Sequence, residues 1–333
     1  MYHINQIKLL HLEISSKCNA ACPLCPRNFY GYPYNDGYIE HNMTLMEAKQ
    51  IFTPEFIAQL NKIHINGNFG DIVMNMEAID IIKYFRDCSP NCVIKVSTNG
   101  SARNKKFWHD LAKLKVQVDF CLDGLDDTHH LYRQNTSYKT IIKNAQTFIQ
   151  AGGVALWKMI RFDHNKHQEK LAEKTSKSLG FAKFELVDHG RNQGPVFNKH
   201  KKLVHILGNP PNVNFNQLYS SRTTDVVLLE DVTETKSPAP ISCQAKNGRS
   251  IYVTSVGEVY PCCYLGFSPK TYGYGNYHAA VNAQIRPLIY KNNALKYPLA
   301  DCITWFSEVE KTWAIDTFEK GRLVICNDVC GKN

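Results

Sequence analysis

The sequence predicts an α/β protein, a partial (βα)6 TIM-type barrel with a small C-terminal α+β module. Three observations carry that expectation. Short apolar runs alternate with helical patterns from the N-terminus to about residue 188, as parallel β/α units do. A helix-capping signal and a double-glycine stop bound two of the helical segments. Cysteines then gather again near the C-terminus, after a stretch punctuated by proline and glycine.

Taken in order, strands are expected over Lys8 to Ile14, Lys62 to Ile65, Val93 to Ser97, Val116 to Leu122, Ala155 to Phe162 and Lys183 to Val187. Between the first two, Thr44-Leu-Met-Glu47 is a capping box: the threonine hydroxyl accepts from the third helical residue and the glutamate reaches back. Ile141, Ile142, Ala145, Phe148 and Ile149 form a helical stripe that stops at Gly152-Gly153. From Asn192 to Ser242 the pattern weakens under Gly194-Pro195, Gly208-Asn-Pro-Pro211 and Ser237-Pro-Ala-Pro240. The expected organisation is therefore residues 1–190 as the barrel, 191–241 as an irregular crossing and 242–333 as the second module.

With 333 residues the chain can bury a large core and a smaller satellite. Hydrophobic content of 44% and charged content of 21% are those of an ordinary globular protein. No apolar run approaches the roughly 20 residues a membrane helix needs. The chain opens Met1-Tyr2-His3 without a charged-then-apolar leader, so a reducing, cytoplasmic setting is expected, with the twelve cysteines as metal ligands rather than disulfides. The net charge of +9 fits acidic partners, and nucleic acid is not expected, since the densest basic run, Lys199 to Lys202, lies in the connector.

Cys18, Cys22 and Cys25 stand in Glu13-Ile-Ser-Ser-Lys-Cys-Asn-Ala-Ala-Cys-Pro-Leu-Cys-Pro, directly after the first strand. Three thiolates at that spacing can converge on one iron-sulfur cube and leave one iron open. Zinc is a poorer fit, because no downstream pair completes the set. This loop resembles the signature of the radical S-adenosylmethionine (SAM) superfamily, Cys-x3-Cys-x2-Cys after the first strand of a partial α/β barrel. The resemblance implies a four-iron cluster whose open iron chelates SAM, reductive cleavage to a 5'-deoxyadenosyl radical, and abstraction of a hydrogen atom from substrate. Leu24 departs from the aromatic residue often found before the third cysteine.

The resemblance extends to the ends of the later strands, where such barrels collect their chemistry. Asn66-Gly-Asn-Phe-Gly-Asp71 occupies the place of a Gly-Gly-Glu run that meets the SAM amino group, so Gly67, Asn68, Gly70 and Asp71 are candidate cofactor contacts. Ser97-Thr-Asn-Gly100 is similar to a ribose-contacting run, which adds Ser97 and Asn99. Asp123 and Arg133 follow the fourth strand, where Cys121 replaces a common serine and reads as a buried strand residue. His164, after the fifth strand, is either a general base or substrate contact, or else a helix cap or surface group. Cys88 and Cys92 lie in a helix-to-strand loop at the other end and are expected to be unrelated.

In the C-terminal module, Cys243 is followed by thirteen residues, Gly257, four residues and Cys262, across a strand expected within Arg249 to Val256. This resembles the opening of the SPASM and twitch modules, and Cys326-Asn-Asp-Val-Cys330 resembles their closing pair. The Cys-x2-Cys-x5 portion of a full module is absent. The resemblance implies one auxiliary 4Fe-4S cluster on Cys243, Cys262, Cys326 and Cys330, with Cys302 or Cys263 as substitutes.

The leading expectation is an enzyme that oxidises or crosslinks a peptide or protein side chain, fed by a flavodoxin- or ferredoxin-like donor. Alternatives are a twitch-type dehydrogenase or isomerase of a small sugar, aminoglycoside or nucleotide, and a non-catalytic iron-sulfur electron carrier. The aromatic loop Phe29-Tyr30-Gly-Tyr32-Pro-Tyr34 is a candidate substrate cover.

Overall fold

The computed structural model describes residues 1–33, 39–188, 194–208, 216, 237–267 and 276–332. Its strands are β1 (Leu9–Leu12), β2 (Asn28–Phe29), β3 (Tyr32–Pro33), β4 (Lys62–Ile65), β5 (Val93–Thr98), β6 (Gln117–Cys121), β7 (Val154–Ile160), β8 (Lys183–Val187), β9 (Gly194–Phe197), β10 (Leu203–Leu207), β11 (Ser250–Val253) and β12 (Val259–Tyr260). Six of them, β1, β4, β5, β6, β7 and β8, pair in parallel in chain order. Helices Ala78–Cys88, Lys105–Lys113 and Tyr138–Gln150 fill the crossovers between β4 and β7, so the fold is mixed α/β on one large, mostly parallel sheet.

Strand alternation decides which side chains meet those helices. Leu10, Leu12, Ile63, Ile65, Ile94, Val96, Val118, Phe120, Ala155 and Trp157 are buried in one core with Ile81, Phe85, Trp108, Leu111, Ala145 and Phe148. Each large side chain removed from water there contributes roughly 1.5–3 kcal/mol. The intervening positions on the opposite face are polar: His11 stacks on His64 with ring centroids 5.2 Å apart, and Lys95 pairs with Asp119 at 2.8 Å. The capping box forms, with Thr44 and Glu47 exchanging hydrogen bonds at the start of helix Leu45–Ile51.

Two features differ from the expectation. β11 joins the main sheet as a parallel neighbour of β1, in the register Leu9 with Ser250 to Leu12 with Val253, and β12 turns back antiparallel at the edge. The C-terminal cysteine segment therefore completes the same sheet as the first cysteine loop. The second difference lies in the presumed connector, where β9 and β10 form an antiparallel hairpin. Its backbone is satisfied by pairing with itself, which Gly194-Pro195 does not prevent because the proline sits at a strand start. Residues 191–193, 209–215 and 217–236 of the expected crossing fall outside the described residues, as does Tyr34 of the aromatic loop. Among the described residues no helix is long and apolar enough to cross a membrane.

Candidate functional site

The first cysteine loop begins where β1 ends. Ser15 bridges to Asn42 at 2.7 Å, and the Ala21 amide donates to the Gln134 carbonyl at 2.9 Å, which pins both ends of the loop. Inside it, the Cys25 amide donates to the Cys22 carbonyl at 3.1 Å and the Ala20 amide points at the Cys18 sulfur at 3.4 Å. Cys22 is buried and Cys18 and Cys25 partly so, in an apolar group with Leu24, Tyr132, Ile160 and Phe162. Leu24 supplies apolar packing to the same group as the three cysteines.

Burial pushes the Cys18 thiol well up and the Cys22 thiol up to about 12. Such thiols ionise only against a cation, which bound iron supplies. Among the described residues, no three His, Cys, Asp or Glu side chains are grouped to hold a single metal ion. A cube makes a different demand, since its thiolates ligate separate irons. Three free thiols on one short, pinned loop fit that group.

Arg133 lies beside this loop, its guanidinium 3.9 Å from the Cys22 sulfur. Asp123, fully buried, holds it at 2.5 Å through Oδ2 while Oδ1 accepts from the Ile160 amide at 2.6 Å. The pair is thus a fixed positive charge beside a thiol. Asn99 stands on the other side, with its side-chain nitrogen 3.7 Å from the Cys18 sulfur and 3.0 Å from the Asn19 side-chain oxygen. Asp71 is a brace: its carboxylate accepts from Thr98 Oγ1 at 2.6 Å, the Asn99 amide at 2.7 Å and the Val73 amide at 3.1 Å. Ser97 lies on the polar sheet face between His64 and Asp119, at 3.0 and 3.4 Å.

The glycine run 66–70 is held by a residue to which the sequence reading assigned no role. Glu13, 1% exposed, accepts from the Phe69 and Gly70 amides at 2.8 and 2.9 Å through one oxygen and from the Tyr252 hydroxyl at 3.0 Å through the other. Burial outweighs these donors and raises its pKa to about 7. A carboxylate interrupting the apolar run Leu12-Glu13-Ile14 was the available signal. Gly70 must be glycine, since an added Cβ would fall 1.8 Å from the Ser15 carbonyl oxygen. Asn68 points the other way and donates to the Cys263 carbonyl at 2.9 Å.

That bond leads to the second group of thiols. Cys243, Cys262, Cys326 and Cys330 line one cavity of about 260 Å³, together with Cys263, Leu9, Tyr252, Ile325 and Trp313. The Ser242 amide donates to the Cys330 carbonyl at 2.8 Å, which draws 243 and 330 together. Burial raises the Cys243 and Cys262 thiols and pushes Cys326 up to about 12. Five cysteines in the lining of a largely apolar cavity, Cys263 among them, are more than the four thiols a cubic cluster needs, and Cys302 is not part of it: its sulfur faces the Tyr297 carbonyl at 3.7 Å. Cys88 and Cys92 flank the loop that precedes β5, away from both groups.

His164 stacks on Phe162 at 5.1 Å and meets His205 of β10 edge-on at 6.1 Å. Burial lowers its pKa to about 4, so it is neutral near pH 7. It caps nothing. Phe29 is buried against Phe197, with Tyr30 and Tyr32 packed around them.

No protein-family model matches the chain. The FeMo cofactor biosynthesis protein NifB of Methanocaldococcus infernus is 25% identical over 117 residues, a span of 33% of this chain and 37% of NifB. Among solved structures, SuiB of Streptococcus suis bound to S-adenosylmethionine aligns with a TM-score of 0.55 at 14% identity, over 89% of this chain and 65% of SuiB. Native anSMEcpe, solved with AdoMet and the Cp18Cys peptide, gives 0.53 at 15% identity, over 98% of this chain and 91% of its own. This chain shares with these structures, both solved with S-adenosylmethionine bound, a mixed α/β fold on one large, mostly parallel sheet.

Proposed function

We propose that the chain is a radical SAM enzyme that modifies a peptide or protein side chain. In this reading the six parallel strands curl into a partial (βα)6 barrel within residues 1–190, 191–241 cross over it, and 242–333 form a SPASM- or twitch-like module. The observation that carries the proposal is the pinned loop of Cys18, Cys22 and Cys25 at the end of β1, facing Asn99 and the Asp123-held Arg133. Cys18, Cys22 and Cys25 would hold a 4Fe-4S cluster there, and that cluster would supply the electron for reductive cleavage of S-adenosylmethionine and hence for hydrogen-atom abstraction from substrate.

The chain's own residues do the positioning. Glu13 holds the Phe69 and Gly70 amides, and Gly67 and Gly70 let that run lie directly against Glu13 and Ser15 at the end of β1, beside the thiol loop where the cosubstrate would bind. Asp71 locks that run to the Asn99 turn, and Arg133 offsets negative charge at Cys22. Cys243, Cys262, Cys326 and Cys330 would hold one auxiliary 4Fe-4S cluster; with four protein ligands it has no iron left for substrate, so electron transfer or support is its role. Peptide substrates are favoured because SuiB is also solved with the precursor peptide SuiA, and anSMEcpe with Cp18Cys.

The test is anaerobic reconstitution, reduction and addition of SAM, reading 5'-deoxyadenosine and iron together. About eight irons per chain with deoxyadenosine supports two four-iron clusters. Replacing Cys18, Cys22 and Cys25 with alanine should abolish cleavage and keep about half the iron; persistent cleavage would refute the site.

A further inference from the structure

The basic run Lys199 to Lys202, which reads as part of a connector, is the turn of the β9–β10 hairpin. Its shape is fixed locally. The Asn198 side-chain oxygen accepts from the His200 and Lys202 amides at 2.9 and 3.2 Å, and the Asn198 carbonyl accepts from the Lys201 amide at 3.0 Å. Lys199, His200, Lys201 and Lys202 are all exposed, and Lys201 lies over the Tyr32 ring at 5.7 Å. Lys199 and Lys202 have no ion-pair partner among the described residues.

The other end of the hairpin rests on the first cysteine loop. Val196 and Leu207 are buried against Cys22, with Cys18, Leu24 and Cys25 packed on the same group. The Phe197 amide donates to the Tyr30 carbonyl at 2.7 Å, five residues after Cys25. Gly31 approaches so closely that a Cβ there would fall 2.6 Å from the Phe197 carbonyl oxygen. An antiparallel ribbon thus joins an exposed positive tip to the packing shell of the thiol loop.

We infer that this hairpin tip is the docking surface for an acidic, flavodoxin-like electron donor, an inference that rests on the proposed reading of Cys18, Cys22 and Cys25 as a redox centre. The reduced donor loses one electron and the centre gains it, and no covalent bond forms or breaks. Charge complementarity selects this occupant: clustered cations raise the encounter rate of an acidic protein and make it fall with salt. The remainder of the +9 net charge acts in the same sense at longer range.

The test uses the reconstituted holoprotein and its Lys199→Glu/Lys202→Glu variant, with an acidic flavodoxin as probe. Lys201 is left alone because its φ of 61° and its ring contact belong to the turn. Calorimetric titration at low and physiological salt should show affinity falling with salt, and about tenfold or more weaker binding by the variant. Lys199→Arg/Lys202→Arg should bind as the parent does. Flavodoxin-driven deoxyadenosine formation should drop in parallel while dithionite-driven formation stays unchanged. Equal flavodoxin binding and equal flavodoxin-driven rates in parent and Glu variant would overturn the inference. So would a variant that loses only peptide modification, which would assign the tip to an acidic substrate. Absence of dithionite-driven cleavage in the parent would instead count against the proposed function, and the titration would still decide the docking surface.

Discussion

Glu13 offers the sharpest test of how the 66–70 loop is held. Its carboxylate is enclosed by the Phe69 and Gly70 amides and the Tyr252 hydroxyl, yet burial lifts its pKa from 4.5 to about 7. The folded protein therefore keeps a proton that the unfolded chain releases between those two values. Its contribution is fullest below about pH 4.5 and is lost as pH rises through 7, so stability falls with rising pH. The shift of 7 − 4.5 = 2.5 units corresponds to about 3 kcal/mol over the whole window. Glu13→Gln retains an oxygen for the two amides and turns an amide toward Tyr252, whose hydroxyl can accept, but cannot titrate. Urea unfolding of metal-free protein from pH 5 to pH 8 should show the variant gaining about 2–3 kcal/mol on the parent. A parent-minus-variant difference that stays flat across that range would refute the reasoning.

Three further outcomes follow from contacts at the two thiol groups. Gly70→Ala places a methyl 1.8 Å from the Ser15 oxygen and 2.7 Å from the Ser16 Cα, so it should cost about 2 kcal/mol or more and weaken SAM binding in equilibrium dialysis. Asp123→Asn strips the partner from the buried Arg133 and should lower stability by about 3–5 kcal/mol in urea, whereas a loss under about 1 kcal/mol would mean that the guanidinium finds water. Cys326→Ser/Cys330→Ser should remove about four irons per chain on metal analysis, and Cys302→Ser should remove none.

Much of the sheet was legible before the structure. Lys62 to Ile65 and Lys183 to Val187 are strands at the expected bounds, and the other four central strands differ by one or two residues at one or both ends. Apolar alternation is a local property, and these six strands pair with one another in chain order, so the pattern survives even in β1, whose other edge takes the distant β11. The capping box at Thr44 and Glu47 succeeded for the same reason. The hairpin β9–β10 was hidden because glycine and proline punctuate a strand start as readily as a loop.

By itself the sequence determined the parallel α/β order, the cysteine spacing that suits a cube, and the return of cysteines after residue 242. The tertiary structure decided the rest. It alone paired β11 with β1 and set Tyr252 on Glu13 and Asn68 on Cys263, contacts that span 239 and 195 residues. It alone brought Cys243, Cys262, Cys326 and Cys330 around one cavity and seated a lysine-tipped hairpin on the first cysteine loop. The physical reason is that periodicity and spacing record what a residue asks of its immediate neighbours. Which distant donor satisfies a buried carboxylate, and which strand covers an open sheet edge, is chosen only when the whole chain competes for the same contacts.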